Sequence, residues 1–199
     1  MYFQRNSLKK TIYFTRHGQS EYNKTGQLGG DSPLSNNGIE YSRFLYNYFK
    51  LNKNENINVI TSGMLRTNMT AELFKNKKVN NRFMEINAGI FEHYTYDEIK
   101  EENLKEFNNR KKDKYNYRYP NGESYKDLEN RVIPEFRKLL ESNESFLLIA
   151  HNAVLRVIFG YLYSMKESSI PFLEIPLHTI FKIEIYEDGT NMKTVISHQ

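Results

Sequence analysis

The chain has 199 residues, a formal net charge of +4 and no cysteine. That length fits one domain, residues 1–199, with a substantial core. The absent thiols exclude disulfides, thiolate metal sites and a cysteine nucleophile, while the mild basicity suits an acidic small molecule as well as a nucleic acid or an anionic membrane. No apolar stretch approaches the roughly 18 residues of a membrane span. The start, Met1-Tyr2-Phe3-Gln4-Arg5-Asn6, lacks the apolar core of a signal peptide, so a soluble, cytoplasmic protein is expected.

In chain order, the β-branched and aromatic run Thr11-Ile12-Tyr13-Phe14-Thr15 reads as a strand that feeds directly into Arg16-His17-Gly18. After Pro33-Leu34-Ser35, Tyr41, Leu45 and Tyr48 share one helical face. Asn58-Val59-Ile60-Thr61 is a second strand, and Ser62 is placed to cap a helix carrying Leu65, Met69 and Leu73 on its inner face. Residues 79–84 read as a third strand. Residues 96–103 form a short helix, and the polar, tyrosine-rich stretch up to residue 120 reads as an irregular lobe. Tyr125, Leu128, Val132, Phe136 and Leu139 mark a long helix, with a kink expected at Pro134, which cannot donate to the carbonyl four residues back.

A further apolar run, Phe146-Leu147-Leu148-Ile149-Ala150, leads into His151 and an apolar helix over residues 152–163. Residues 178–186 and 193–197 look like a final hairpin around Asp188-Gly189. Strands alternating with amphipathic helices predict a layered α/β domain.

Two histidines, each at the end of a strand, can face one crevice, because ligands of open α/β sheets collect beyond the carboxyl ends of strands. An arginine beside such a pair reads as an anion site. Arg66 falls in a first helical turn, where the helix dipole disfavours a cation by roughly 0.3–1 kcal/mol and a bound anion would offset that cost. Alone, it reads first as an exposed, screened charge. Arg156 lies in a helix that is apolar nearly all round and needs a partner or a route to water; Asn152 shares its face. Residues 110–125 alternate basic and aromatic side chains, which equally suggests single-stranded nucleic acid stacked on tyrosines.

The ordered segments Arg16-His17-Gly18-Gln19-Ser20-Glu21-Tyr22-Asn23, Gly29-Gly30-Asp31-Ser32-Pro33-Leu34-Ser35 and Thr61-Ser62-Gly63-Met64-Leu65-Arg66-Thr67 resemble the signature of the histidine phosphatase (phosphoglycerate mutase-like) superfamily. So do Glu85-Ile86-Asn87-Ala88-Gly89, Thr95-Tyr96-Asp97-Glu98-Ile99, Asp113-Lys114-Tyr115, Tyr119-Pro120-Asn121-Gly122-Glu123-Ser124-Tyr125, Ala150-His151-Asn152-Ala153-Val154 with Arg156, and Pro176-Leu177-His178-Thr179. Together they look like the bisphosphatase domain of the bifunctional phosphofructo-2-kinase/fructose-2,6-bisphosphatases.

The resemblance implies an α/β/α sandwich with a mostly parallel central sheet and a substrate-capping excursion at about residues 92–125. It implies a phosphatase that works through phosphohistidine and removes the 2-phosphate of fructose 2,6-bisphosphate. His17 is then the nucleophile, Arg16, Arg66, His151 and Asn23 cradle the phosphoryl group, and Glu85 is the proton donor to the leaving oxygen. Gly29, Tyr96, Arg110, Lys114, Tyr125, Asn152 and Arg156 match substrate-binding positions. No cofactor or metal is expected, since His93, His178 and His198 lack ligand spacing. His178 falls near the pocket by its motif. The expected partner is a small phosphorylated sugar, with neither nucleic acid nor membrane.

The chain departs from the bisphosphatase pattern in places. Asn152 stands where a glutamine is usual, one methylene shorter, and Ala150 where a cysteine is common. The chain also starts close to the signature, so no kinase half is expected. A broad-specificity sugar phosphatase is the nearer competing function. A phosphoglycerate mutase, which usually carries tryptophan motifs, is more distant from this tryptophan-free chain, and a catalytically silent phosphate-binding module is a different class again.

Overall fold

The computed structural model describes residues 7–187 and 191–198. Strands Leu8–Arg16 (β1), Asn58–Thr61 (β2), Lys77–Val79 (β3), Phe146–Ala150 (β4), Thr179–Tyr186 (β5) and Asn191–Ser197 (β6) form one sheet in the order β3-β2-β4-β1-β5-β6. The first four in that order are parallel neighbours, while β5 and β6 add an antiparallel pair at one edge. The expected hairpin is therefore present, and its expected turn residues Asp188-Gly189 lie outside the described residues.

Alternating side chains send each strand's apolar groups to two cores. Phe146, Leu148 and Ala150 of β4 join Ile12 and Phe14 on one face, against the helices Tyr125–Glu141 (α6) and Asn152–Leu162 (α7). Leu147 and Ile149 join Tyr13 and Val59 on the other, against Tyr41, Leu45 and Phe49 of the helix Asn36–Leu51 (α2). Helices thus cover both faces, the layered sandwich the sequence predicts. Lys10, at the start of β1, ties the sheet to α6 by donating to the carbonyls of Leu139, Leu140 and Ser142, where the negative end of the helix dipole attracts an ammonium.

Several local expectations are corrected. Residues 79–84 are not a strand: β3 ends at Val79, and Asn81–Phe83 is a turn of 3₁₀ helix. Ser62 does not cap the next helix, Leu65–Thr70 (α3); that cap position is Met64, with no side-chain hydrogen bond. Leu65 and Leu73 are exposed, and the buried face of α3 is the polar set Arg66, Thr67 and Thr70. The 96–120 segment contains two helices, Tyr96–Glu102 (α4) and Leu104–Lys112 (α5), where only the first was expected. The expected long helix is present as α6, with Pro134 inside it.

Two glycines set how closely the loop after β1 approaches α2. A Cβ on Gly38 would fall 2.1 Å from the Gln19 carbonyl oxygen, and one on Gly18 would fall 2.5 Å from the Gly38 carbonyl oxygen, both backbone atoms with no freedom to swing away. Gly38→Ala is therefore expected to destabilise the fold by roughly 1–3 kcal/mol through overpacking, visible as a lowered urea midpoint. An unchanged midpoint would show that this contact does not position the loop.

Candidate active site

Parallel pairing of β1 with β4 aligns Arg16 with Ala150, and the His17 N–H donates to the Ala150 carbonyl at 3.0 Å. The residues that follow each strand are therefore neighbours: the rings of His17 and His151 have centroids 5.2 Å apart. The chain leaves β1 for α2 on one face and leaves β4 for α7 on the other. That divergence opens a crevice beyond the strand ends.

The geometry fixes the tautomer of His17. Its Nδ1 lies 2.7 Å from the Gly18 carbonyl, which only accepts, so Nδ1 carries the hydrogen and Nε2 holds the lone pair. Arg66 Nε–H donates to that lone pair at 3.1 Å. Burial, then the Arg66 and Arg16 cations, hold the His17 imidazole well below its ordinary pKa, so the ring is neutral near pH 7. His151 is fully buried and is likewise pushed down, by burial first and then by Arg66. Its Nε2 shares a 2.7 Å hydrogen bond with Ser62 Oγ, which also contacts Thr67 Oγ1 at 3.0 Å. Ser62 thus orients a histidine where a helix cap had been expected.

Arg66 reaches the site because α3 begins just after β2. Its side chain is 5% exposed; Nη1 donates to the Gly30 carbonyl at 2.8 Å and lies 3.6 Å from Asp31. Thr70, one turn on, accepts from the Gly18 N–H at 2.9 Å and so joins α3 to the histidine loop. Arg16 Nη1 donates to the Ile175 carbonyl at 2.9 Å, and burial lowers its pKa to about 10, which leaves it charged at neutral pH. Three buried polar atoms have no hydrogen-bond partner among the described residues: Arg16 Nε, His151 Nδ1 and Asn152 Oδ1. Such groups cost free energy unless a ligand or solvent satisfies them.

A cavity of about 490 Å³ opens here, lined by Arg16, His17, Asn23, Gly29, Arg66, Glu85, Tyr96, Arg110, Lys114, Tyr125, Asn152 and Arg156. Every expected site residue is on its wall except His151, which sits beside His17. Asn23 Oδ1 accepts from the Ser20 N–H at 3.0 Å, closing a capping box on the short helix Glu21–Thr25 (α1). Gly29 has φ +60°, and a Cβ there would collide with the Glu92 carboxylate, which accepts from the N–H groups of Gly30 and Ala88. Glu85 accepts from the Ala153 N–H at the start of α7, at 3.2 Å.

At the other end of the cavity, Arg110 stacks on the Tyr96 ring at 4.3 Å, and its Nε donates to Tyr119 Oη at 2.8 Å. Arg156 donates to Tyr125 Oη at 3.0 Å and to the Leu173 carbonyl at 2.7 Å. Lys114 donates to the Pro171 carbonyl at 2.9 Å; burial, then Arg110 and Arg156, lower its pKa to about 8. Among the described residues on the wall, these three and Arg16 and Arg66 are the cations, against one acidic side chain, Glu85. The arrangement is suited to a ligand with more than one negative charge.

Sequence reasoning did not assign Tyr119, Tyr22, Gln27 or Leu28, all on the wall. Tyr22 and Tyr119 fall within the family motifs, whereas Gln27 and Leu28 carry no chemical signal. His178 is not on the wall, but its Nε2 accepts from the Gln19 N–H at 3.1 Å, next to the histidine loop. His93 bonds Tyr22 Oη at 2.8 Å, and His198 stacks on Phe44 at 4.3 Å. A larger hollow, about 610 Å³ and lined by Ile60, Lys78, Val79, Asn80, Asn81, Arg82, Arg131 and Leu139, contains neither site histidine.

The chain is 40% identical over 190 residues to 6-phosphofructo-2-kinase/fructose-2,6-bisphosphatase 1 of Mus musculus, covering 94% of the chain and 40% of that relative. It is 39% identical over 188 residues to the fructose-2,6-bisphosphatase of Saccharomyces cerevisiae, covering 94% and 41%. The chain thus spans about two fifths of the length of these relatives. The alpha-ribazole phosphatase of Shigella flexneri shares the fold, with a TM-score of 0.80 at 20% identity over 94% of this chain and 96% of that one. The histidine phosphatase superfamily (branch 1) pattern matches residues 12–197, and the chain belongs to that family.

Proposed function

We propose that the protein is a phosphatase that hydrolyses the 2-phosphate of fructose 2,6-bisphosphate through a phosphohistidine on His17. The observation that carries this reading is a buried, neutral imidazole whose Nε2 lone pair faces Arg66, inside a crevice with five cations and one acidic side chain on its wall. The names of the Mus musculus and Saccharomyces cerevisiae relatives support the choice of substrate.

His17 Nε2 attacks phosphorus in line; an N–P bond forms as the bond from phosphorus to the sugar oxygen breaks. Arg16 and Arg66 stabilise the charge on the transferring oxygens. Glu85, as the carboxylic acid, gives its proton to the departing sugar oxygen; as the resulting carboxylate it takes one from the water that attacks the phosphohistidine, so that the N–P bond breaks, inorganic phosphate leaves, and both the neutral ring and the carboxylic acid are restored. His151 and Asn23 complete the phosphoryl cradle. Arg110, Lys114 and Arg156, with Tyr96, Tyr125 and Asn152, hold the sugar and its 6-phosphate. Binding energy from that second phosphate orients the first for attack.

For His17→Ala, phosphate release from fructose 2,6-bisphosphate should fall by about 10³-fold or more, with no acid-labile phosphate on the chain. Release equal to wild type would remove the enzymatic reading. A panel of other sugar phosphates compared by kcat/KM separates a dedicated bisphosphatase from a broad phosphatase.

The position of Lys114 predicts a pH dependence of binding. Its pKa of about 8 in the free protein keeps the ammonium below that pH and loses it above, and a bound phosphate favours the charged form. Affinity for the bisphosphate should therefore decline as pH rises through about 8, and Lys114→Met should bind more weakly and lose this alkaline limb. Identical pH profiles for the two proteins would exclude Lys114 as a phosphate ligand.

A further inference from the structure

The segment that carries Glu85 has little regular structure of its own, passing from the 3₁₀ turn Asn81–Phe83 to another at Gly89–Phe91. Its backbone is instead gripped from α6. Arg131, one turn and a half into that helix, donates through Nη1 to the Arg82 carbonyl at 2.7 Å and through Nη2 to the Met84 and Glu85 carbonyls at 2.9 and 3.0 Å. The same guanidinium forms a two-pronged ion pair with Glu123, Nε at 2.7 Å and Nη2 at 2.9 Å. Glu123 in turn accepts from the Asn87 N–H at 3.0 Å, and its own N–H donates to the Asn87 carbonyl at 2.9 Å. One arginine and one glutamate therefore hold residues 82–87 on both sides of Glu85.

From this geometry we infer that Arg131, braced by Glu123, is a positioning residue that fixes Glu85 for proton transfer to the leaving oxygen. The inference rests on the reading of Glu85 as the proton donor. Neither Arg131 nor Glu123 is on the wall of the site cavity, so neither contributes by touching substrate. A proton donor works only when held within a fraction of an ångström of its target, which requires its supporting backbone to be rigid. The guanidinium suits this task because its rigid planar fork pairs side-on with the Glu123 carboxylate while its remaining N–H groups point at the carbonyls, a fixed relative geometry that a rotatable ammonium does not impose.

A donor of protons matters when the leaving group is a sugar alkoxide and little when it is p-nitrophenolate, which departs without a proton. The test compares phosphorylation of His17 in single turnover from fructose 2,6-bisphosphate with the nitrophenolate burst from p-nitrophenyl phosphate. Arg131→Met should slow the first by about 10–100-fold and the burst by less than about threefold, and adding it to Glu85→Gln should cost little more, because both act on one step. Should Arg131→Met fold poorly by urea unfolding, Arg131→Lys, which keeps the charge opposite Glu123 but not the fork, should show the same split at smaller size.

Equal losses on both substrates would make Arg131 a general structural support and overturn the inference. So would normal phosphorylation from both. Glu85→Gln separates the premise from the inference: if that variant is phosphorylated normally by the sugar ester, the assignment of Glu85 fails. If it is slow while Arg131→Met is normal, only the positioning role fails.

Discussion

The parallel register between β1 and β4 is the constraint on which the site depends. It places Arg16 opposite Ala150, so that the next residue of each strand, a histidine in both cases, leaves the sheet at the same level. A slip of β1 by one residue against β4 would turn Ile12 and Phe14 away from α6 and α7 and send Tyr13 into that core, so the same apolar alternation that stabilises the sheet also fixes the distance between the imidazoles. Function here is secured by hydrophobic packing some distance from the chemistry.

That packing sustains a site that is electrostatically unfavourable when empty of ligand. Arg16 and Arg66 are largely buried beside each other and beside two histidines, and both histidines are held neutral by burial first and then by these cations. Carbonyl groups carry much of the compensation: Ile175 for Arg16, Gly30 for Arg66, Leu173 for Arg156 and Pro171 for Lys114. These neutral acceptors hold the cations in place without cancelling their charge, which a carboxylate would do. The field inside the cavity therefore remains positive.

Much of this was legible in the sequence because strand ends, helix faces and charged side chains follow simple periodicities. The two histidines after apolar runs, and Arg156 in an apolar helix, were unusual enough to identify as residues. Other features were not legible, for physical reasons. The leucines of α3 suggested an apolar inner face, whereas that helix packs its polar side on the histidine loop through Arg66, Thr67 and Thr70. The α5 helix escaped notice because it buries no residue fully and its Arg110 is spent on two tyrosines. Arg131 and Glu123 act on backbone atoms, and no side-chain pattern records which carbonyls an arginine will reach. Ser62 had the right position for a cap but a stronger partner in His151.

The hydrogen bond from Arg66 Nε to His17 Nε2 has a consequence for the resting protein. The Nε2 electron pair is already engaged by the Arg66 N–H, and the nitrogen is flanked by positive charge. If His17 is the nucleophile as proposed, an incoming phosphate oxyanion, a stronger acceptor than the imidazole lone pair, would draw the guanidinium towards itself and free the nitrogen for attack. On the proposed reading of His17, the contact that prepares the ring would also shield it from electrophiles that bring no oxyanion.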